Sequence, residues 1–560
     1  MEKIWLKKYP KVVPHVIETD EYSNILEVFD ESVRKFRNKV AFKNFGTSLT
    51  FHDLDVLSGQ FASYLQNDLG LKKGDKIAIQ MPNVLQFPVA LFGAMRAGLI
   101  IVNTNPLYTD TEMKHQFGDS GATTLVILAQ FAHLYEKIQG QTPIKNVIVT
   151  EVGDLLGFPK KHLINFVLKY VKKMVPAYNF KHITFNEALN AGSTKTYVQP
   201  PLIAKDIAFL QYTGGTTGVS KGAILTHENI IANMLQICAW MRPKLIEGEE
   251  ICLTPLPMYH IFSLTVNCLA FIRYGATNIL ITNPRDIPGF IKTMKKEKFS
   301  IMTGVNTLYN ALAVHPDIKT VDFSHMKISV AGAMALQTAV KERWKLATGT
   351  DVIEGYGLTE TSPVVCVNPV DGTDKVGTIG LPVPNTDIRL IDHNGKDVTA
   401  TGEPGELCVK GPQVMQGYYN RPDETAKVIK DGWLLTGDIA VMDSEGFFKI
   451  VDRKKDMILV SGFNVYPNEV EDVIAKNPKV LEVAAIGVPD EHSGEVVKVF
   501  VVKKDDSLTE QEVIAHAKIS MTNYKVPKHV EFRTELPKTN VGKVLRRALR
   551  DEELAKLKKK

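Results

Sequence analysis

The stretch YTGGTTGVSKG occupies residues 212–222 and gathers four glycines, three threonines, one serine and one lysine. The glycines let backbone N–H groups approach an anion without interference from a Cβ atom, and Lys221 adds a compact positive charge. The apolar run 207–210 predicts a buried strand before the stretch, and residues 227–240 predict a helix after it. We therefore expect a phosphate-binding loop at a strand-to-helix turn, where α/β proteins hold nucleotides.

The same composition also suits a flexible connector between two elements. The stretch is not a Walker A loop, because no glycine lies five positions before a Gly-Lys-Ser/Thr triplet, and it lacks the GxGxxG spacing of dinucleotide-binding folds. Polar loops more often connect elements than bind ligands. The remainder of the chain must therefore decide between the two interpretations.

The composition is that of a multidomain globular protein. A chain of 560 residues exceeds the size at which a single core keeps growing, so we expect two or more domains. With 44% hydrophobic and 23% charged residues, disordered and fibrous classes are excluded. The net charge of +5 is too small to predict a nucleic-acid partner.

The cysteines and the N-terminus favour a cytoplasmic protein. The five cysteines are widely spaced and form no CxxC pair, which argues against disulfides and zinc and fits a reducing compartment. The first residues lack the apolar core of a signal peptide, and no window reaches the roughly 18 apolar residues that span a bilayer.

The pattern of elements changes twice along the chain. Up to about residue 372, helical patterns alternate with short β-rich runs, which predicts an α/β fold with mostly parallel, stacked sheets. From Thr373, short strands with Gly/Pro turns predict a β-rich subdomain. From Asp452, a further mixture predicts a small, mobile C-terminal α+β domain. We place the domains at 1–452 and 453–560.

Residues 155–181 contain six lysines and no acidic residue among many apolar positions. A basic amphipathic helix of this kind can lie on an anionic bilayer. It can equally be a surface helix that packs its apolar side on the domain. Peripheral membrane association, at the inner face of the cell membrane, is therefore an open alternative.

Two glycine-rich segments bring together side chains suited to a nucleotide. EGYGLTE (354–360) offers an aromatic ring in Tyr356, and a carboxylate in Glu360 that suits Mg²⁺ among phosphate oxygens. GWLLTGD (432–438) places Asp438 where it can accept both hydroxyls of a ribose. Each segment alone is weak evidence, because an Asp after a Gly is usually a turn residue.

Three further segments, PLPMYHIFSL (255–264), VDRKKDMILVSGFNVYPNEVE (451–471) and PKTNVGKVLRR (537–547), complete a set of six in a fixed order. With this set, residues 20–550 resemble the adenylate-forming (ANL) superfamily, and within it the bacterial long-chain fatty acid CoA ligases. The resemblance implies that a fatty acid reacts with ATP and Mg²⁺ to give an acyl-adenylate and pyrophosphate. Coenzyme A then takes the acyl group and releases AMP.

The resemblance also implies roles for particular residues. The catalytic residues would be Lys543, which bridges the carboxylate and the α-phosphate, together with Thr359, Glu360 and His260. Glu360 and Thr216 would hold the metal, Lys455 would be the hinge, and Ser461, Gly462 and Phe463 would form the loop used in the CoA step. The implied nucleotide-binding residues are Tyr212, Thr213, Gly214, Gly215, Thr216, Thr217, Gly218, Lys221, Gly332, Ala333, Gly355, Tyr356, Gly357, Asp438 and Arg453.

The residues themselves leave several alternatives open. Lys543 lies in a basic run that is normally a solvated face, and His260 suits a buried histidine of the core. The competing functions are an acyl-AMP ligase that loads a carrier protein, a medium-chain or aryl acid CoA ligase, and a silent acyl- or AMP-binding protein.

The resemblance implies an acyl tunnel along 255–264 and 301–309 that ends near Gly332. The sequence decides neither the acyl length preference nor whether the protein forms a homodimer.

Overall fold

The computed structural model describes residues 2–213, 220–400, 402–490, 492–539 and 542–557. The predicted ligand-binding residues Gly214, Gly215, Thr216, Thr217 and Gly218 lie outside these ranges.

Up to residue 213, strands alternate with helices, as the apolar runs predict. Short 3₁₀ helices span Ile4–Lys8 and Ala129–Phe131, and a π-helical turn, Val167–Val171, continues the sixth α-helix. The strands are β1 (Val40–Asn44), β2 (Thr47–Thr50), β3 (Lys76–Gln80), β4 (Ile100–Asn103), β5 (Thr124–Leu128), β6 (Asn146–Thr150), β7 (Ile183–Thr184) and β8 (Ile207–Thr213), and the helices are α1 (Ile25–Phe36), α2 (Phe51–Asn67), α3 (Gln86–Arg96), α4 (Asp110–Ser120), α5 (Ala132–Glu136), α6 (Lys160–Phe166) and α7 (Phe185–Ser193).

The alternation continues from residue 220 to 382. A π-helix, Ser263–Ala270, leads into a short α-helix, and 3₁₀ turns span Pro316–Thr320 and Thr359–Thr361. The strands are β9 (Lys221–Thr226), β10 (Ile251–Thr254), β11 (Thr277–Leu280), β12 (Ile301–Gly304), β13 (Ile328–Ala331), β14 (Ile353–Gly357), β15 (Val364–Val367) and β16 (Leu381–Pro382), and the helices are α8 (His227–Met241), α9 (Phe271–Arg273), α10 (Ile287–Met294), α11 (Asn306–Val314) and α12 (Thr338–Thr348).

From residue 387 the chain forms mainly short antiparallel strands, as the Gly/Pro turns predict. The strands are β17 (Asp387–Ile391), β18 (Gly405–Lys410), β19 (Gly417–Tyr418), β20 (Ile429–Lys430), β21 (Trp433–Met442) and β22 (Phe448–Arg453), with α13 at Pro422–Val428.

The C-terminal part has a sheet and an apolar core of its own. A 3₁₀ turn spans Asn523–Lys525. The strands are β23 (Ile458–Val460), β24 (Phe463–Val465), β25 (Val480–Asp490), β26 (Gly494–Lys503) and β27 (His529–Arg533), and the helices are α14 (Pro467–Ala475), α15 (Glu510–Ser520) and α16 (Arg546–Leu557).

The sheet orders confirm the predicted class of a large α/β part joined to a small α+β part. Within the described ranges, one large sheet has the order β16-β15-β14-β13-β12-β10-β11-β1-β2, and a second has the order β19-β9-β8-β4-β3-β5-β6-β7. A smaller sheet runs β17-β18-β21-β20 with β22 beside β21, and the C-terminal sheet runs β24-β23-β26-β25 with β27 beside β26. The chain leaves the β-rich sheet after Arg453 and enters the C-terminal sheet at Ile458. A boundary at 453 with a hinge at Lys455 stays a prediction.

The prediction of a strand-to-helix turn after β8 is wrong. β8 is followed by β9, which pairs back onto it antiparallel from Thr213 opposite Lys221 to Ile207 opposite Thr226. Residues 222–225 are mostly apolar and buried, so they extend the sheet before the helix begins. Helix α8 then starts at His227 with Thr226 as its N-cap.

The lysine-rich segment is helical over a shorter length than its composition suggests. Its helix begins after Pro159, continues through α6 into the π-helical turn, and ends at Val171. Lys173 then has a φ of 50°, which turns the chain out of the helix. Among the residues that the structure describes, none of the helices is long and apolar enough to cross a membrane.

Candidate active site

Three strands of the large part bring Tyr356, Asp438 and Arg453 together. The Tyr356 hydroxyl donates to Oδ2 of Asp438 at 2.6 Å, and Nε of Arg453 lies 3.0 Å from Oδ1. Burial and the Asp438 charge raise the pKa of Tyr356 well above its ordinary value, so the hydroxyl stays a donor. A carboxylate has about four acceptor sites, so Asp438 keeps acceptor capacity for further donors such as ribose hydroxyls.

This arrangement follows from strand register and from one close backbone approach. Asp438 on β21 lies directly opposite Arg453 on β22, so the ion pair is a cross-strand pair. A Cβ atom on Gly357 would lie 1.9 Å from the carbonyl oxygen of Pro363, which excludes any side chain there. Gly355 has no such restriction, since its nearest neighbour would be 3.7 Å away. Packing between β14 and β15 thus accounts for the glycine at 357.

A second group joins Glu360 to Lys221 through Tyr418. The Tyr418 hydroxyl donates to Oε1 of Glu360 at 2.7 Å, and the Lys221 ammonium lies 5.1 Å from the centre of the Tyr418 ring. Glu360 lies with Thr359 in the 3₁₀ turn after β14, and both are partly buried. Tyr418 therefore fixes the separation between a carboxylate and a cation that come from distant parts of the sequence.

Tyr212 and Thr213 are the last two residues of β8. The buried Tyr212 hydroxyl donates to Oδ2 of Asp119 at 2.7 Å, so Tyr212 ties the hairpin to α4. Thr213 lies opposite Lys221 in the hairpin register. The Lys221 ammonium itself forms a close ion pair with the carboxylate of Glu424 on α13.

The C-terminal part delivers Lys543 to the same region. Burial and the positive charge of Arg453 lower the pKa of Lys543 to about 8, while Asp438 opposes this shift. Burial and the charge of Lys543 lower the pKa of His260 to about 4, so its ring is neutral at physiological pH. The Phe262 N–H donates to Nδ1 of His260 at 3.3 Å, which leaves the proton on Nε2 as a donor.

Contacts between the two parts of the chain hold Lys543 in this position. The Thr307 hydroxyl donates to the carbonyl of Gly542 at 3.2 Å, next to Lys543. Asn310 donates to the Leu481 carbonyl, also at 3.2 Å. Gly542 has a φ of 83°, and a Cβ atom there would lie 2.7 Å from the Thr307 hydroxyl oxygen. Both the backbone shape and the close approach therefore require glycine before Lys543.

Arg546, three residues after Lys543, forms a buried ion cluster beside the joint. Its guanidinium lies 3.0 Å from Asp452 and 2.7 Å from Glu471, and it also contacts Asn468. Asp452 is fully buried and directly precedes Arg453. Burial raises the pKa of Asp452, although the Arg546 charge opposes that shift. One cluster thus couples the backbone that carries Arg453 to the helix after Lys543.

Two buried amides position the segment that carries His260. Asn83 donates to the carbonyls of Thr254 and Leu256, both at 2.9 Å, and accepts from the Met258 N–H at 2.8 Å. Gln211 on β8 donates to the Tyr259 carbonyl at 2.8 Å. These bonds tie the backbone of residues 254–259 to two buried side chains, and they keep the histidine segment in one conformation.

The predicted end of the acyl tunnel is tightly packed. A Cβ atom on Gly332 would lie 2.8 Å from the Phe262 ring, so the glycine admits that ring against β13. Ala333 follows with a φ of 66°. The segments 255–264 and 301–309 are largely buried and mostly apolar. Phe262 of the first segment packs on Gly332, and the Gly332 N–H donates to the carbonyl of Gly304 in the second, while an acyl tunnel that ends here stays a prediction.

The predicted CoA-step loop lies apart from this group, whereas the predicted hinge residue follows Arg453 by two positions. Lys455 is exposed in the turn between β22 and β23. Ser461 and Gly462 have φ values of 50° and 83° in the turn between β23 and β24. Phe463 is 57% exposed and stacks on Tyr524 at 4.9 Å. The described contacts of this turn run to the C-terminal part and not to Asp438 or Lys543.

Sequence reasoning missed Tyr418, Glu424, Asn83, Gln211 and Arg546. The segment that carries Tyr418 and Glu424 signals only a helix start, with Pro422 at the first turn. Its contact with Lys221 spans 203 residues, which no local pattern reports. Asn83 and Gln211 are polar residues inside apolar surroundings, and this is the one signal that points to them.

The family model described as AMP-binding enzyme matches residues 29–419, and the one described as AMP-binding enzyme C-terminal domain matches residues 469–543. A Long-chain-fatty-acid--CoA ligase of Yersinia pestis is 56% identical over 555 residues, which cover 99% of this chain and 99% of that protein.

Two solved structures have the same architecture. The anthranilate CoA ligase AuaEII in complex with anthranoyl-AMP superposes with a TM-score of 0.86 at 25% identity, covering 97% of this chain and 100% of that chain. ATP-bound MatB from Rhodopseudomonas palustris gives 0.81 at 28% identity, covering 94% of this chain and 99% of that chain.

Proposed function

This chain belongs to the AMP-binding enzyme family, and on that premise we propose which of its residues perform each step of fatty-acid activation. It activates long-chain fatty acids with ATP to acyl-CoA through an acyl-adenylate, and it releases AMP and pyrophosphate. The observation that carries this conclusion is the 56% identity to a long-chain enzyme across 99% of both chains.

The first step must bring two anions together, the fatty acid carboxylate and the α-phosphate of ATP. Fixed cations and oriented donors lower the cost of that encounter more than a protein nucleophile would. Lys543 and Arg453 supply the cations, and Thr359 supplies a hydroxyl near the α-phosphate. The neutral His260 donates from Nε2 toward the fatty acid carboxylate without adding a second titrating charge beside Lys543.

The nucleoside binds at the Tyr356–Asp438 pair. The Tyr356 ring offers a face for adenine, while its hydroxyl fixes the carboxylate of Asp438. Asp438 accepts the ribose hydroxyls, and Arg453 reaches ribose and phosphate from the neighbouring strand. Lys221 and the loop that precedes it hold the β- and γ-phosphates.

Glu360 is the residue that would hold Mg²⁺. Magnesium in nucleotide sites takes one or two carboxylates together with phosphate oxygens and water. One oxygen of Glu360 accepts the Tyr418 hydroxyl, which leaves the other for the metal. Groups of three or more acidic, histidine or cysteine ligands do not occur among the described residues, and such a group is not needed for this mode of binding. A bound Mg²⁺ would neutralise phosphate charge as the adenylate forms.

The second step uses the same adenylate with a different set of residues. Rotation of the C-terminal part about Lys455 withdraws Lys543 and brings in Ser461, Gly462 and Phe463 with CoA. The exposed position of Lys455, between two sheets, and the exposed turn at 461–463 support this assignment. The Arg546–Asp452 contact spans the joint and belongs to the first pose.

An apolar patch on the lysine-rich helix is suited to a membrane surface. Ile164 and Leu168 pack on the core, while other apolar side chains of the same helix face solvent. Phe45 extends the patch, because the Lys160 ammonium donates to the Gly46 carbonyl beside it. The exposed members of this apolar patch are Phe45, Phe158, Leu163, Phe166, Tyr170, Val171 and Met174.

Lysines surround the apolar patch, so it combines the two features that bind anionic bilayers. Long-chain fatty acids dissolve in the bilayer, and enzyme held at the inner face of the cell membrane would meet its substrate there. One side of the helix packs on the domain, and the exposed side is the one that we propose contacts the membrane.

Assays with saturated fatty acids from octanoate to stearate, ATP, Mg²⁺ and CoA test the function and its chain-length preference. We expect acyl-CoA, AMP and pyrophosphate, with the highest kcat/KM for the longer acids. Benzoate and anthranilate serve as aryl controls. Preference for an aryl acid, or transfer only to a carrier protein, would contradict the assignment.

Replacing Lys543 should separate the two half-reactions. We expect Lys543→Ala to lower fatty-acid-dependent ATP–pyrophosphate exchange by roughly 100-fold or more, as for loss of other preorganised charges. Thioester formation from supplied acyl-AMP should stay near the wild-type rate. Because the cation is lost above a pKa of about 8, kcat/KM for adenylation should fall as the pH rises through that value. Lys543→Arg should lack this fall, and an unchanged alkaline limb in that variant would argue against Lys543.

Stiffening the joint should affect the second step more than the first. Proline at 455 restricts φ and removes an N–H, so Lys455→Pro should reduce thioester formation at least tenfold more than pyrophosphate exchange. Lys455→Ala is the matched control, because it removes the side chain but keeps backbone freedom. Equal losses in both half-reactions for Lys455→Pro would refute the hinge.

Co-sedimentation with phosphatidylglycerol vesicles tests the apolar patch. Phe158→Ser with Phe166→Ser should lower the vesicle partition coefficient by roughly 100-fold or more, since each buried phenylalanine contributes about 1.5–3 kcal/mol. Leu346→Ser with Ile519→Ser is the control pair, which removes two exposed apolar side chains elsewhere. Equal binding of the two double variants would show that the patch is not the membrane contact.

A further inference from the structure

The Lys221 ammonium, which we assign to the β- and γ-phosphates of ATP, is in contact with a carboxylate of the protein. Glu424 of α13 forms a close ion pair with it, and Lys427 contacts the other oxygen of Glu424. Both members of the Lys221–Glu424 pair are partly exposed, at 25% and 29% of their side-chain surface. A phosphate that enters from solvent can therefore reach the pair.

The backbone on both sides of the pair is held in place. Strand β19 pairs with β9, so that Tyr418 lies opposite Ala223, and the Tyr419 N–H donates to the Gly222 carbonyl at 2.8 Å. Arg421 forms an ion pair with Asp119 at 2.5 Å, the same carboxylate that accepts the Tyr212 hydroxyl. These contacts bring the start of α13 to Lys221. The ion pair is thus part of the fold and not a chance meeting of two long side chains.

Glu424 does not become protonated near neutral pH, so it keeps its negative charge. The hydrogen bonds from Lys221 and Lys427 lower the pKa of Glu424 to about 2, so the carboxylate is ionised throughout the physiological range. A polyphosphate that approaches Lys221 meets a fixed negative charge on the same ammonium. Two like charges on one cation repel each other, so the phosphate must displace the carboxylate or share the cation at a cost.

We propose that Glu424 competes with the polyphosphate tail of the nucleotide for Lys221, and that it thereby weakens binding of ATP and of the pyrophosphate product. Glu424 acts through Lys221 and is a positioning residue, not a catalytic one. Its effect is specific to the β- and γ-phosphates, because AMP lacks them. The consequence is faster release of pyrophosphate after adenylation, which keeps the first step from running backward. The inference rests on the role proposed above for Lys221.

Isothermal titration of the full chain with Mg²⁺-pyrophosphate, Mg²⁺-ATP and AMP, without fatty acid or CoA, tests this. Glu424→Gln keeps the shape of the side chain and removes its charge. We expect it to bind pyrophosphate and ATP roughly two- to fivefold more tightly than wild type, in line with the strength of partly exposed ion pairs, while AMP binding is unchanged. Loss of structure cannot produce this result, because damage to a binding site lowers its affinity for ligands.

Asp423→Asn is the matched control. It makes the same change in net charge one residue away, on an exposed side chain in the first turn of the same helix. Its pyrophosphate affinity should match that of wild type. Equal or weaker pyrophosphate binding by Glu424→Gln, or an equal gain in Asp423→Asn, would overturn the proposal, the latter because it would show a general field effect.

Lys221→Ala distinguishes this proposal from the function on which it rests. We expect that variant to bind pyrophosphate more weakly than wild type and to lose the gain when combined with Glu424→Gln. If Lys221→Ala binds pyrophosphate like wild type, the competition proposal fails even when the enzyme still makes acyl-CoA. Absence of acyl-CoA formation by the wild type would instead refute the function, and the binding shift would remain a separate result.

Discussion

The buried ion cluster of Arg546, Asp452 and Glu471 is the interaction on which the geometry of the site depends. Asp452 lies on β22 one residue before Arg453, and Arg546 follows Lys543 by three residues. One guanidinium therefore ties together the backbones that carry the two cations of the adenylation site. Buried ion pairs contribute little net stability, because desolvation offsets their attraction, but removing one partner leaves an uncompensated charge. Such a cluster favours one arrangement of the two parts strongly over poorly matched alternatives.

Around that cluster, burial sets the charge of each side chain according to its neighbours. His260 is neutral because burial and the nearby Lys543 charge lower its pKa. The pKa of Lys543 is itself lowered to about 8 by burial and by the Arg453 charge. Asp438 counters these cations and also receives Tyr356 and Arg453. The site therefore contains one positive charge that can be lost near neutral pH, and that charge belongs to the part of the chain that we propose moves between the two steps.

In the part of the site that we assign to the β- and γ-phosphates, the opposite charges of the protein are paired with each other. Tyr418 joins Glu360 to Lys221, and Glu424 neutralises Lys221 from the neighbouring helix. Pairing Lys221 in advance reduces both affinities, and this matters most for the product that must leave before CoA reacts.

The sequence by itself determined the class of the fold, the order of its parts and the six motifs, because apolar periodicity and short-range motifs are local properties of the chain. The residues themselves pointed to Tyr356, Glu360 and Asp438, and the family resemblance added Arg453 and Lys543 as site residues. The sequence also predicted a strand-to-helix turn where the chain forms a hairpin. That error arose because the pairing of β9 depends on β8 and not on its own composition. Only the tertiary structure decided that Lys543 lies beside His260, that Arg546 anchors both parts, and that Glu424 meets Lys221. These contacts join residues up to several hundred positions apart, and their energies depend on burial and distance, which no local pattern contains.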